Sequence, residues 1–458
     1  MIKRKLKDIQ SMVKGKGLKE KNNDIYIEGV STDTRSIKKG QLFVPIIGEN
    51  FDGHKFIEKA IENGAVASLW GESHPVPDID FPFIIVNDTL KAIQTLSKEY
   101  RNQLSIKIVG ITGSNGKTST KDILSSIFNT KYKTYKTQGN LNNELGVPLT
   151  LLSIDEDIEM AVVEMGMSGL GEIEILTKMA SPDAAIITNI GTAHLEQLKT
   201  RDNIIKAKLE IVKGLKQDGL FVYHGDDESL RSAVKALDIP QEKHTFGENQ
   251  SNDYIVEKLS ADIDGLRFKI KNINSPEFFL PMLGNHQIFN ASAAIAIARH
   301  FGLSFDLIKK GLENLELTGM RSELLKGDGF DILNDSYNSN PDSTKAALKT
   351  LNSLDTYDQR IVVFGDMLEL GEEEINMHRE IGEEIDFEKV DYLFTFGKLA
   401  KYAAEEAKKG ISHERVFAFE DKSALINKLK EVLQNNSIIL LKGSRGMKLE
   451  EISKNLLS

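Results

Sequence analysis

The stretch that most limits what this chain can fold into is Lys107-Ile-Val-Gly-Ile-Thr-Gly-Ser-Asn-Gly-Lys-Thr118. The apolar run at 106–111 reads as a buried strand. Gly113, Ser114, Asn115 and Gly116 make a tight loop of small residues, and Ile123, Leu124, Ile127 and Phe128 then mark one face of a helix. A strand, a glycine loop and a helix N-terminus in that order form an anion cradle. Free backbone N–H groups and the helix dipole point at a phosphate. Lys117 then reaches the β/γ-phosphates, and the Thr118 hydroxyl sits on Mg²⁺. The spacing is Gly-x-x-Gly-Lys-Thr; the outer glycine of the full Walker pattern would fall where this chain has Ile111. The segment predicts an ATP site and leaves the reaction to be argued from other residues.

A length of 458 residues implies two or three domains. The 40% apolar and 28% charged content is that of a soluble globular protein, and the net charge of -10 argues against nucleic acid as a partner. Lysines crowd the first twenty residues, but no long apolar run follows them. The reading is therefore a chain without signal peptide or membrane span, working in the cytoplasm. With no cysteine, disulfides, zinc–thiolate sites and thiol catalysis are excluded.

Residues 1–100 read as a first, small α/β unit. Ser31-Thr-Asp-Thr-Arg-Ser36 is rich in turn formers, and Gly48 and Gly53 bracket a loop carrying Phe51, Asp52 and His54. These stretches are equally compatible with solvated turns and with a binding site. The apolar runs at 64–70 and 83–86 read as strands, and 87–100 as a helix capped by Asp88 or Thr89.

Residues 101–315 read as the nucleotide unit. Asn140, Asn142 and Asn143 lie between Gly139 and Gly146, a spacing that suits either a polar-ligand loop or a helix cap and turn. The strand at 161–166 ends in a carboxylate, Glu164, and a glycine, where a parallel sheet gathers its ligands, so Glu164 is placed to hold Mg²⁺. The next strand, from 184, runs into His194. In the helix at 203–212, Lys206 and Lys208 sit two apart and point in different directions; spacing alone favours two surface lysines. The stretch 251–279 alternates poorly and suggests an antiparallel excursion. An alanine-rich helix follows at 291–300, preceded by Asn285, His286, Gln287 and Asn290.

Residues 316–458 read as a third unit. A strand end and polar loop over 332–341, and strands at 361–366, 392–397 and 437–445, alternate with helices, which predicts a second parallel sheet. Pro341 lies near a helix start. Lys442 and Arg445, at a strand end, are candidates for holding a carboxylate.

Taken together these motifs resemble the Mur ligase family, and within it the MurF type, over nearly the whole chain and in order. Residues 112–118 resemble the family's ATP loop, which itself lacks the outer Walker glycine. Residues 31–36 and 51–54 resemble its uridine-diphosphate-binding segment. Residues 365–371 and 335–340 resemble the MurF type specifically, and the Asp-Asn-Pro-Arg motif of the MurE type is absent. The resemblance implies three domains: a central P-loop parallel-sheet ATPase domain, flanked by a small α/β N-terminal domain and a Rossmann-like C-terminal domain. It implies that Gly113–Thr118 and Lys117 hold the ATP phosphates, that Thr118 and Glu164 hold a first Mg²⁺ and His194 a second, and that Lys208 is carbamylated. In this it reverses the surface reading of Lys208, because a carbamate anion can bridge to Mg²⁺. Asn290, Arg321 and Asp335 match positions for adenine, phosphates and ribose. Asn140, Asn142 and Asn143 match the sugar–peptide loop, and Ser31, Thr32 and Arg35 the UDP segment. The chain has His286-Gln287 where the family often has His-Asn, and Asn338-Ser-Asn340 where it commonly has Asn-Ala-Asn.

The activity so implied is ATP-dependent addition of D-alanyl-D-alanine to a UDP-N-acetylmuramoyl-tripeptide through an acyl phosphate, by a monomer whose third domain closes over the second. Two other readings stay open at this stage: another ATP-dependent amide ligase, of the MurE or folylpolyglutamate synthase type, and a non-enzymatic P-loop switch. Against the switch stands the lack of an apolar run ending in Asp near the loop.

Overall fold

The computed structural model describes residues 1–192, 195–410 and 413–458. Its twenty-one named strands fall into four sheets. β1 (Lys3–Lys5) and β2 (Tyr26–Glu28) pair antiparallel. β3 (Val30–Ser31), β4 (Leu42–Phe43), β5 (Ala67–Gly71) and β6 (Phe83–Val86) form a small all-parallel sheet in that order. The helix Thr89–Gln103 leads out of it, and the Asp88 side chain caps it by accepting the Lys91 N–H at 3.0 Å.

The central sheet has nine strands in the order β15-β14-β13-β12-β11-β10-β7-β9-β8. These are β7 (Lys107–Thr112), β8 (Thr134–Lys136), β9 (Met160–Glu164), β10 (Ala184–Ile187), β11 (Leu220–His224), β12 (Glu242–Gly247), β13 (Tyr254–Asp262), β14 (Gly265–Ile270) and β15 (Phe278–Leu280). The pairs from β8 across to β13 are parallel, and β13, β14 and β15 run antiparallel to one another. The sheet is thus mixed, and the poorly alternating stretch at 251–279 is its antiparallel extension. Its centre is hidden on both faces. In β7, Ile108 faces one hydrophobic cluster while Val109 and Ile111 face another; in β9 and β10 the alternation repeats. Two buried faces explain why these strands read as unbroken apolar runs. Each fully buried isoleucine or valine contributes about 1.5–3 kcal/mol.

The chain leaves β7 for β8 and β9 on one side, then returns to β10, β11 and β12 on the other. The strand order reverses at β7, and the crevice at such a reversal is where open α/β sheets bind ligands. The alanine-rich helix is longer than its alanines. It spans His286–His300, so His286, Gln287 and Asn290 lie in its first turns and not in a loop ahead of it. Gly284, at φ 97°, makes the preceding turn.

The last sheet holds β16 (Glu323–Lys326), β17 (Phe330–Asp335), β18 (Gln359–Gly365), β19 (Tyr392–Phe396), β20 (Val416–Phe419) and β21 (Ser437–Lys442), in the order β16-β17-β21-β18-β19-β20. It is parallel except for the edge strand β16, which hairpins onto β17. The helix Pro341–Asn352 starts with Pro at its first position and a capping box between Asn340 and Ser343. The architecture is α/β with three sheet-centred domains. No helix among the described residues is long and apolar enough to cross a membrane.

Candidate functional site

The carboxyl ends of the central and last sheets open into one cavity of about 770 Å³. The central sheet contributes the loops after β7, β9 and β10. The last sheet contributes those after β17, β18 and β21.

The loop after β7 is fixed by steric necessity. At Gly113, φ 151°, a Cβ would stand 1.8 Å from the Thr188 hydroxyl; at Gly116, φ 82°, it would stand 2.4 Å from Asn290 Oδ1. Only glycine fits either place. Asn189 holds the Asn115 peptide from both sides: its Oδ1 accepts the Asn115 N–H at 2.9 Å and its amide donates to the Asn115 carbonyl at 3.0 Å. The Ser114 hydroxyl accepts the Gly191 N–H at 2.9 Å. Thr188 and Asn189 were not among the residues singled out from sequence. Their signal was their place just past an apolar strand, the same signal that pointed to Glu164.

The Lys117 ammonium folds back onto its own loop, donating to the Gly113 carbonyl at 2.7 Å and the Ser114 carbonyl at 3.3 Å. Burial lowers its pKa, with Glu164 opposing that shift and Arg321 adding to it. The Thr118 hydroxyl donates to Glu164 Oε2 at 2.9 Å, and the Asn142 amide donates to Glu164 Oε1 at 2.9 Å. Glu164 is 2% exposed. A hydroxyl and a buried carboxylate side by side are the hard oxygen donors that suit Mg²⁺.

Lys208 settles the choice between surface and interior that spacing left open. Lys206 is exposed, but Lys208 is 1% exposed. It follows Ile204 by four residues on the helix Arg201–Leu209 and so shares that residue's buried face. Two surface lysines, the reading from spacing, is therefore corrected. Burial, then the charge of Lys117, pushes the Lys208 amine well below its ordinary range. His194 lies outside the described residues.

Asn140, Asn142 and Asn143 all line the cavity. Their work differs: Asn142 holds Glu164, while Asn143 Oδ1 accepts the Gly146 N–H at 2.8 Å and so steadies the start of the helix Gly146–Leu152. The cap-and-turn reading of this loop is seen at Asn143, while all three asparagines keep a place on the cavity wall.

Across the cavity, Arg321 lies over the Tyr337 ring at 4.0 Å, and its Nε is buried without a partner. Asp335 Oδ2 takes the Lys442 ammonium at 2.6 Å, and Lys442 also donates to the Asn338 carbonyl at 2.9 Å. Lys442 is thus committed to an internal carboxylate. Arg445 is exposed and pairs with Glu450 at 2.7 Å. Asn290 donates to Gln287 Oε1 at 2.8 Å, so the glutamine in place of the family's asparagine still holds its neighbour. Asn115 and Asn340 pair through both amides at 2.8 and 3.4 Å, and Asp342 Oδ2 accepts the Thr192 N–H and hydroxyl at 2.9 and 3.0 Å. These bonds join the two sheets' loops directly.

Ser31, Thr32 and Arg35 do not line this cavity. Ser31 bonds within its own turn, and the Arg35 guanidinium, 89% exposed, forks onto Asp33. Nearby, Asp52 Oδ1 accepts the His54 N–H at 3.0 Å and the His54 ring at 2.8 Å, while Oδ2 faces His74 Nε2 at 3.0 Å. The two imidazoles stack at 3.8 Å.

Three family models match the chain: "Mur ligase family, catalytic domain" over 26–101, "Mur ligase middle domain" over 111–298, and "Mur ligase, glutamate ligase domain" over 320–445. The UDP-N-acetylmuramoyl-tripeptide–D-alanyl-D-alanine ligase of Bacillus subtilis is 46% identical over 458 residues, all of this chain and 99% of the relative. A crystal structure of MurF from Acinetobacter baumannii superposes with a TM-score of 0.88 at 29% identity, covering 100% of this chain and 99% of that one. The MurF ligase of Thermotoga maritima in complex with ADP gives a TM-score of 0.81 at 28% identity, covering 93% and 96%.

Proposed function

The chain belongs to the Mur ligase family, and from that premise we propose how its residues carry the reaction of the MurF type. It is an ATP-dependent ligase that joins D-alanyl-D-alanine to UDP-N-acetylmuramoyl-tripeptide in peptidoglycan precursor synthesis. The observation that carries the assignment of roles is that the nucleotide loop, Glu164, the Asn140–Asn143 segment, Arg321 and Asp335 all open onto one cavity.

In the first step a terminal carboxylate oxygen of the tripeptide attacks the γ-phosphorus of ATP. The bond to the β-phosphate oxygen breaks, and an acyl phosphate and ADP result. In the second, the dipeptide amine attacks the acyl carbon, the carbon–oxygen bond to phosphate breaks, and inorganic phosphate leaves as the amine loses its proton. The protein's part is position and charge. The Gly113, Ser114, Asn115 and Gly116 backbone cradles phosphate, and Lys117 turns from its loop carbonyls to the phosphate oxygens. Arg321 meets the phosphates from the opposite wall, Asn290 the adenine, and Asp335 the ribose. Asn140, Asn142 and Asn143 face the sugar–peptide, and Ser31, Thr32 and Arg35 the uridine diphosphate. Thr118 and Glu164 would hold one Mg²⁺, and His194 and Lys208 would serve a second. Bound Mg²⁺ neutralises the phosphate charge that builds during transfer.

Lys208 suits this role as a carbamate. A buried, neutral amine adds CO₂ and releases a proton, giving an anion where an ammonium would repel the metal. The acyl phosphate must be kept from water, and closure of the third domain over the second would complete the cleft that the two sheets begin. We place the domain boundaries near residues 100 and 315 and assign the enzyme to the cytoplasm as a monomer. The test is direct: purified protein with Mg²⁺, ATP, UDP-N-acetylmuramoyl-tripeptide and D-alanyl-D-alanine should release ADP and phosphate in step with amide formation. Protein that released no ADP with both substrates present would defeat the reading.

A further inference from the structure

Arg321 enters the cavity from a backbone that L residues resist. Met320 and Ser322, on either side of it, hold φ at 64° and 49°, in the left-handed region. Two acidic side chains pin them there. Glu323 Oε2 accepts the Met320 N–H at 2.8 Å, and Asp335 Oδ1 accepts the Ser322 N–H at 3.0 Å. The Asn334 amide steadies the same Glu323 oxygen at 3.4 Å, and the Tyr337 N–H donates to the Met320 carbonyl at 3.2 Å. Backbone in sparsely populated regions persists only where its surroundings over-determine it, and it collects where geometry serves function. What the strain produces here is the seat of one guanidinium, over the Tyr337 ring at 4.0 Å with its Nε buried and unpartnered. A buried donor left unpaired is costly, so this seat anticipates an acceptor from outside the protein.

Asp335 already carries Lys442 and faces the cavity. Glu323 does neither: it does not line the cavity, and its side-chain bonds go to Met320 and Asn334. We propose that Glu323 is a positioning residue for Arg321. By holding the Met320 N–H it keeps the left-handed turn that aims the guanidinium at the nucleotide phosphates. The inference rests on the ligase reading for the identity of that anion.

The test compares Glu323→Ala, Glu323→Gln, Arg321→Ala and the Arg321→Ala/Glu323→Ala double variant. The readouts are affinity for a non-hydrolysable ATP analogue with Mg²⁺, melting temperature, and hydrogen exchange at the Met320 amide. Glu323→Ala should lose affinity on the order of tenfold, the effect of one hydrogen bond to a charged group. Its Met320 amide should exchange faster even without nucleotide. Glu323→Gln keeps an oxygen acceptor and should stay within about threefold of the parent. Because Glu323 acts through Arg321, the double variant should bind no more weakly than Arg321→Ala alone. Additive losses, a Glu323→Gln variant as weak as Glu323→Ala, or unchanged Met320 exchange would overturn the proposal. A lower melting temperature with unchanged affinity would also overturn it, leaving Glu323 a purely structural residue. Binding and exchange are read without turnover, so a protein that binds the analogue but releases no ADP defeats the ligase reading while leaving this comparison intact.

Discussion

Among the described residues, Lys208 is an amine sealed from water, with no carboxylate paired to it and the charge of Lys117 disfavouring its protonated form. Such a group is expensive as an ammonium and useful as a neutral nucleophile for CO₂. Lys208→Ala should therefore lower kcat by on the order of 10²–10³, the scale of a lost electrostatic contact at a transferring group. Short carboxylates such as acetate should restore part of it; an alanine variant with full activity would end the carbamate assignment. The same burial makes a stability prediction of opposite sign. The amine's folded pKa is depressed below its ordinary 10.5, so at neutral pH the unfolded chain binds more protons at this site than the folded one. In CO₂-free buffer Lys208→Met should melt higher than the parent at neutral pH. The advantage should shrink as pH rises through 10.5, above which both states carry a neutral amine. Equal melting temperatures across that range would contradict it.

The elements around the site were legible wherever burial is symmetrical. β7, β9 and β10 are buried on both faces, so they appear as apolar runs whatever their register. Glu164 could be read as a ligand because it ends such a run. What sequence alone could not give was direction on a helix with mixed residues, as at Lys206 and Lys208, or contacts between segments far apart, as at Glu323, Asn189 and the Asn115–Asn340 pair. The Asp52 clasp belongs to the second kind: His74 is distant in sequence and completes it. Burial would raise the Asp52 carboxyl, but the His54 N–H and the two imidazoles outweigh that and hold it down to about 2. A carboxylate with a folded pKa below its ordinary 3.8 stabilises fully above that value and stops doing so as pH falls through about 2. The chain's single tryptophan, Trp70, sits edge-on to His54 at 4.7 Å and reports on this clasp. Trp70 fluorescence during acid titration should show a transition below pH 4 that is shallower in Asp52→Asn. Superimposable titrations of parent and variant would show that the clasp does not contribute.

At the scale of the molecule, chemistry needs two bodies to meet. The glycine loop after β7 hangs from the central sheet, while Arg321 and Asp335 hang from the last, so the roles proposed for them require the arrangement that brings both to one cavity. In the free protein that arrangement is held across the cavity by Asn340, which caps its own helix and pairs with Asn115, and by Asp342, which takes both donors of Thr192. Hydrogen bonds of this kind, part-buried between Asn115 and Asn340 and exposed between Asp342 and Thr192, contribute only about 0.5–1.5 kcal/mol each. They bias docking of the two bodies without locking it, which leaves room for substrates to enter and for nucleotide to add the rest. A chain of 458 residues packed as one sphere-like body would have a radius of gyration of about 23 Å, and a three-domain enzyme that opens must exceed it. Small-angle scattering of Asn340→Ala/Asp342→Ala should therefore give a larger radius than the parent when both are free. The two should converge once ATP analogue and UDP-N-acetylmuramoyl-tripeptide are bound, because nucleotide contacts from both walls then replace the lost latch. The variant's penalty should fall on KM for ATP, on the order of fivefold to 10²-fold if each of the two lost contacts counts as one such bond, while kcat at saturation stays close to the parent's. If the free radii agree, or if kcat falls with KM unchanged, the latch does not set the docking equilibrium, and closure must be driven by bound ligand alone.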